Sequence, residues 1–380
     1  MQEVYITKIS KYLPNQAVSN EEIEDYLGKI NGKSSKAKNI VLRSNKIQQR
    51  YYAIDKNGKA THNNATLTAE AIKLLLDNKA EAFKEIELLT AGTSSPDQFM
   101  PSHAVMVQGE LPEFNAIEVM TASGNCCSGV QGLKYAYINI ASGLINKAVC
   151  AGSERLSRTM RAEQFEEEIK ELNKLEENSY LAFEKDFLRW MLSDGAAAAL
   201  LSNKKEEGKL AYKINWIESK SYANEVETCM YMAGEKDDNG KLISFKEYNP
   251  EEIKQKSIYS IKQDVKLLDK NIIEYGYQMM KYSLEKHNEN TTEYDYFLPH
   301  LSSYFFQNKI FNKLVEEGFG IPMEKWFTNL KTVGNVGSAS PFLMLEELSR
   351  VKNLKVGDKL LLMIPESARF AYVYISLTVC

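Results

Sequence analysis

NCCSGVQGLKYAYINIASGLINKAVCAGSE, residues 125–154, reads as a turn of small residues, then a helix, then a buried strand. Val130, Leu133, Tyr137 and Ile140 recur at helical spacing, and Gly143 supplies the stop. The apolar run KAVCAGSE (147–154) has the character of a buried strand. A strand-like NAIEVM (115–120) leads into the turn, so the helix is expected to begin at or just after Ser128. That places Cys127 at a helix N-terminus, where unpaired amides and the macrodipole favour a thiolate. Cys126, one residue earlier, should point elsewhere and pack as a small hydrophobe. The small neighbours Ser123, Gly124, Ser128 and Gly129 permit close approach of backbone and ligand. On this stretch alone, core filling is the stronger account of both thiols.

Strands and helices alternate along most of the chain. EVYITK (3–8) reads as a strand, ATLTAEAIKLLL (65–76) as a helix and IELLTAGTSS (86–95) as a strand ending in a polar loop. In the second half a helix near 270–284 leads to the strand YDYFLP (294–299) and a helix near 303–317. KTVGNVGSASPFLMLEELSRV (331–351) gives a glycine-rich loop feeding a helix, and DKLLLMIP and FAYVYISLTV supply two last strands. Such alternation predicts layered α/β packing. Two segments interrupt it. Residues 26–64 are Lys/Asn-rich and read as exposed loops. Residues 162–187 read as a charged amphipathic helix with Phe165, Ile169, Leu172 and Leu175 on one face. It is either a solvated decoration or a lid over a substrate entrance.

Composition narrows the function class. The 380 residues are 44% hydrophobic and 26% charged with a net charge of −4, so no global charge attracts nucleic acid or an anionic membrane. The chain start lacks a secretory pattern, and no stretch approaches the roughly 18 apolar residues of a membrane span. Five cysteines without a C-x-x-C pair argue against zinc, iron–sulfur and redox motifs, so no metal is expected. A reduced, cytoplasmic protein is the expectation.

A nucleophilic cysteine needs a positioned helper, and the chain has four histidines. His62 and His287 lie in polar loops, and His103 at a helix start suits a structural role. His300 ends an apolar strand, where α/β sheets bind ligands, although a satisfied buried histidine reads the same way. Asn335, flanked by glycines before a helix, is either an inward-pointing amide or a loop residue tolerating an unusual backbone angle.

Together, Cys127, His300 and Asn335, in that order and each at an element junction, resemble the ketoacyl-ACP synthase III family of the thiolase superfamily. The segment after NCC resembles the family's nucleophile segment. SDGAAAALL (193–201) is similar to its "GDGAGAAVL", LPH to its "VPH" and GNVGSAS (334–340) to its "GNTSAAS". The resemblance implies a thiolase fold, a duplicated α-β-α-β-α architecture with two pseudo-equivalent halves. Residues 1–205 would carry the nucleophile and 206–380 the His and Asn. It implies that Cys127 takes up the acyl group while His300 and Asn335 bind the second thioester's carbonyl. Neutral donors of this kind stabilise an enolate oxygen by on the order of 3 kcal/mol each. The acyl-transfer oxyanion would be held by the backbone amides of Cys127 and of Ser367 or Ala368 in PESARF (365–370), where relatives resemble "GGGF". No cofactor is implied, and a homodimer is, because Met100 falls beside a position that reaches the partner subunit's pocket.

Departures refine this. Asn39 stands where coenzyme A-using members place a tryptophan, which favours carrier-protein thioesters while leaving coenzyme A thioesters open. Phe305 replaces a basic residue used toward acyl carrier protein, so docking would fall to Arg43, Arg155, Arg158 and Arg161, unless these are ordinary surface or salt-bridge residues. VETCMYMAGE (226–235) suits an acyl-chain wall or a plain core, which makes Cys229, Met230 and Phe370 pocket candidates with Met100. SSPDQFMPSHAVMVQGEL (94–111), PESARF and the acidic insertion look most like the dialkylresorcinol branch. Members of that branch join a β-ketoacyl and an α,β-unsaturated thioester into a cyclohexanedione. Two other readings stand beside it: a decarboxylative initiating ketosynthase using malonyl-ACP, and a non-catalytic partner subunit of a ketosynthase heterodimer.

Overall fold

Nine strands form the spine of the molecule, and their order shows a repeated plan. A computed structural model describes residues 2–174 and 183–380. Among these, β1 (Tyr5–Tyr12), β2 (Leu88–Thr93), β3 (Glu118–Ser123), β4 (Lys147–Glu154) and β5 (Gly195–Ser202) order themselves β3-β2-β4-β5-β1. The second set, β6 (Tyr212–Ser221), β7 (Tyr296–Pro299), β8 (Lys359–Glu366) and β9 (Ala371–Val379), orders itself β7-β8-β9-β6. In each set the penultimate strand of the order, β5 or β9, runs antiparallel to both neighbours. The sets meet where β1 pairs β6 through two register positions, Tyr5 with Lys213 and Ile6 with Tyr212.

Helices fill the layers between and outside the two sets. The helix α1 (Asn64–Leu75) and the shorter α2 (His103–Gly109) cover one outer face. The helices α3 (Ser128–Ala141) and α4 (Ser340–Val351) occupy the middle. The long α5 (Val265–His287) and α6 (Gln307–Glu316) cover the opposite face. Alternation along the strands feeds both sides. In β4, Ala148 and Cys150 join the central core while Val149 and Ala151 join the outer one. In β8, Leu360, Leu362 and Ile364 face the centre while Leu361 and Met363 face α5. This produces the α-β-α-β-α architecture expected from the sequence.

The segment 26–64 departs from expectation. It contains a helix, Lys38–Asn45, and a two-residue pairing of Val18–Ser19 with Gln49–Arg50. Val41, Ile47, Tyr52 and Ile54 are buried, so its scattered apolar residues fill core under a polar surface. Within 162–187 the described parts are a turn at Ala162–Gln164 and helices at Glu166–Lys174 and Phe183–Arg189. Phe165 and Ile169 are buried and Leu172 half-buried, whereas Leu175 lies outside the described residues.

Two glycines set the distance between layers. A Cβ on Gly129 of α3 would lie 2.4 Å from the Ser338 carbonyl oxygen, and one on Gly152 of β4 would lie 2.3 Å from it. Neither backbone has room to yield, because Ser338 Oγ also donates to the Gly92 and Ser153 carbonyls. Gly152→Ala is expected to cost about 3 kcal/mol by overpacking. Chemical denaturation measures this, and an unchanged midpoint would contradict the close-contact account.

Candidate active site

The loop carrying Asn335 is stitched to the N-terminal half by backbone and side chain. Asn335 N–H donates to the Met191 carbonyl at 3.0 Å, and its own carbonyl accepts from Ser193 N–H at 2.9 Å. Its Oδ1 accepts from Gly337 N–H at 3.0 Å, which leaves Nδ2 as the side chain's donor end. His300 follows β7, and its N–H donates to Met363 in β8 at 2.8 Å. The ring is buried, its Nε2 has no partner among the described residues, and burial lowers its pKa to about 4. A neutral imidazole is the form that this environment enforces near neutral pH.

His300 and Asn335 line one cavity of about 770 Å³ including its mouth, together with Asn125, Cys126, Glu154 and Ser367. Its walls are apolar, with Met191, Leu192, Met230, Leu268, Phe306 and Met363 among them, and among the described residues no lysine or arginine lines it. The other histidines lie elsewhere. His62 meets the Tyr12 hydroxyl, His103 is buried between Thr68 and Ser153, and His287 stacks on Trp216 and faces Glu218.

The two thiols sit only partly as expected. Cys127 does cap α3, with Ser128 as the first helical residue. Its side chain is fully buried beneath the cavity, with Sγ 3.3 Å from the Ile364 carbonyl and 4.0 Å from that of Ala371. Cys126 packs against the central core as expected, yet it is a partly exposed residue that also lines the cavity. The expected thiolate stabilisation is also overturned. Burial pushes both thiols up, and the Glu366 carboxylate adds to the effect, so desolvation outweighs the helix terminus.

Several other candidates take different places. Ser367 lines the cavity and accepts from Gln263 at 3.0 Å. Ala368 is fixed by its carbonyl, which accepts from the amides of Cys229 at 2.8 Å and Met230 at 3.2 Å. Met230 lines the cavity, but Cys229 and Phe370 are core residues behind it. Met100 is 86% exposed and contributes nothing to its own chain's cavity. Of the docking arginines, Arg43 is exposed. Arg155 pairs with Asp97 at 3.2 Å, Arg158 with Glu163 at 3.0 Å, and Arg161 donates to the Tyr26 carbonyl at 2.7 Å. All three make contacts within the chain, and Arg158 stays exposed beside its ion pair.

Two carboxylates escaped the sequence reading. Glu154, fully buried at the end of β4, accepts from Ser94 Oγ at 2.6 Å, Ser95 Oγ at 2.7 Å and Ser338 N–H at 3.2 Å. It thereby ties the loop after β2 to the Asn335 loop. Glu366 ends β8, and its Oε2 accepts from the amides of Asn125 at 3.2 Å and Cys127 at 3.3 Å. The signal available for both was an acidic residue closing an otherwise apolar strand. Among the described residues no cluster suits a metal ion, and no helix is long and apolar enough to cross a membrane.

Comparison with known proteins agrees with this fold. Residues 284–364 match the model of the 3-oxoacyl-[acyl-carrier-protein] synthase III C-terminal family. A beta-ketoacyl-[acyl-carrier-protein] synthase III of Clostridium perfringens is 26% identical over 352 residues, 92% of each chain. The synthase III of Thermus thermophilus superposes with a TM-score of 0.71 at 18% identity, covering 98% of both chains. OleA of Xanthomonas campestris, solved with lauric acid and lauroyl-CoA, gives 0.73 at 17% identity over 99% of both chains. In fold and along nearly its whole length, this chain is similar to the ketoacyl synthase III condensing enzymes.

Proposed function

We propose that the chain joins two acyl thioesters through a cysteine acyl-enzyme, with Cys127 as nucleophile and His300 and Asn335 as the enolate's donors. The observation that carries this is the shared cavity in which the cysteine turn, the neutral His300 and the Asn335 amide meet apolar walls. A thiol ester formed at one end of such a cavity leaves the other end for the second acyl chain. The neutral imidazole suits an oxygen that gains charge only in the transition state.

The finer reading is a cyclising condensation of a β-ketoacyl with an α,β-unsaturated acyl thioester, giving a cyclohexanedione precursor of a dialkylresorcinol. It is supported by the absence of lysine and arginine from the described residues lining the cavity. A malonyl carboxylate would enter without a counter-ion, whereas a β-ketoacyl thioester is neutral. Carrier-protein thioesters in the cytoplasm are the proposed substrates. A homodimer is proposed too: β3 is an edge strand, and the neighbouring Val105, Ile138 and Leu144 are exposed. Met100, 86% exposed, then faces a second copy.

Cys126 is a second reading for the nucleophile, favoured by its place in the cavity. Intact mass after incubation with an acyl thioester separates the two. Cys127→Ser is expected to lose the acyl adduct and Cys126→Ala to keep it, while the opposite pattern transfers the role to Cys126. His300→Ala and Asn335→Ala are expected to retain the adduct but slow condensation on the order of 10²-fold or more. With both acyl partners supplied, a cyclohexanedione ring carrying both acyl chains is expected. A linear β-keto product with carbon dioxide release would select the malonyl-ACP reaction.

A further inference from the structure

Acylation has a proton to place, and the groups already assigned do not place it. Burial holds the Cys127 thiol protonated, and the same effect makes His300 a weak base. Glu366 lies at the end of the strand whose Ile364 carbonyl receives that thiol. Its carboxylate already holds the amides of Cys127 and Asn125, so it touches the nucleophile's own residue. Among the described residues no ion pair reaches it, and Arg369, three residues on, donates to the Val226 carbonyl instead. The titratable groups facing it are Cys126 and Cys127 from the turn before α3. Burial raises its pKa, with the two amides opposing that shift, which makes it a better base than an exposed carboxylate.

We propose that Glu366 is the proton acceptor for Cys127 and, by taking that proton, the latch that releases the oxyanion-binding amides. The proposal rests on Cys127 as nucleophile. The thiol leaves the Ile364 carbonyl by rotation about its own Cα–Cβ bond. As sulfur attacks the thioester carbonyl, a new S–C bond forms and the S–H proton passes to the Glu366 carboxylate. The C=O π electrons move onto oxygen. Glu366, now neutral, holds the Cys127 and Asn125 N–H groups less strongly, and these groups turn to the new oxyanion. Collapse re-forms C=O and breaks the bond to the carrier sulfur, which leaves as a thiolate and takes the proton back from Glu366. No further reactant is needed.

The test compares wild type with Glu366→Gln, which keeps shape and an acceptor oxygen but takes up no proton. Acylation by an acyl thioester and alkylation by iodoacetamide are followed at Cys127 by peptide mass between pH 5 and 10. At pH 7 acylation of the Gln variant is expected to fall at least 100-fold and alkylation at least 10-fold, both losses shrinking toward pH 10 as hydroxide begins to ionise the thiol. Faster alkylation would mean that Glu366 merely repels the thiolate, and unchanged rates would mean that it does nothing to it. Either result overturns the proposal. If the Gln variant fails to fold, Glu366→Asp is expected to give a smaller loss with the same pH recovery, and wild-type rates in it would overturn the proposal equally. Absence of any wild-type acyl adduct at Cys127 counts against the nucleophile assignment, while the alkylation arm still reads the link between Glu366 and the thiol.

Discussion

The Ser338 carbonyl, wedged against Gly129 of α3 and Gly152 of β4, is the contact on which the site depends. It locks the loop of one half onto the helix and strand of the other at a separation that no Cβ would permit. Around it, Glu154 collects donors from Ser94, Ser95 and Ser338. A buried carboxylate is tolerated because these hydrogen bonds replace its lost water. The result is a fixed floor on which His300 and the cysteine turn, from two strand ends, and Asn335, from the loop before α4, converge.

Burial then dictates the chemistry. The same desolvation that keeps His300 neutral, and so a good partner for a developing enolate, also keeps both cysteines protonated. The helix N-terminus before Ser128 contributes a favourable field, yet it acts on a thiol with no water and with a carboxylate nearby. A buried nucleophile of this kind draws its reactivity from the order of proton movements more than from a standing thiolate. The acidic strand end at Glu366 stands beside that requirement.

Much of the fold was legible in the sequence because its signals are local. Lys147–Glu154 forms the strand that its apolar run predicts, and the helix starts at Ser128 as its spacing requires. His300 does follow a strand, and Asn335 does precede a helix. The failures concern properties that arise only in three dimensions. Val41, Ile47, Tyr52 and Ile54 are too widely spaced among polar residues to announce a core. The ion-pair partners of Arg155 and Arg158, Asp97 and Glu163, meet them only on folding. The depth of Cys127 below Cys126 follows from the strands β8 and β9 against it, far away in sequence.

The central claim is that Cys127, although buried at rest, is the residue that carries the acyl group. Tandem mass spectrometry of the wild-type enzyme after one turnover with a single acyl thioester tests it most directly, by fragmenting the peptide that spans Asn125–Val130. The account predicts fragment ions that place the acyl mass on Cys127 and leave Cys126 free. An acyl mass on Cys126, with Cys127 unmodified, would contradict it.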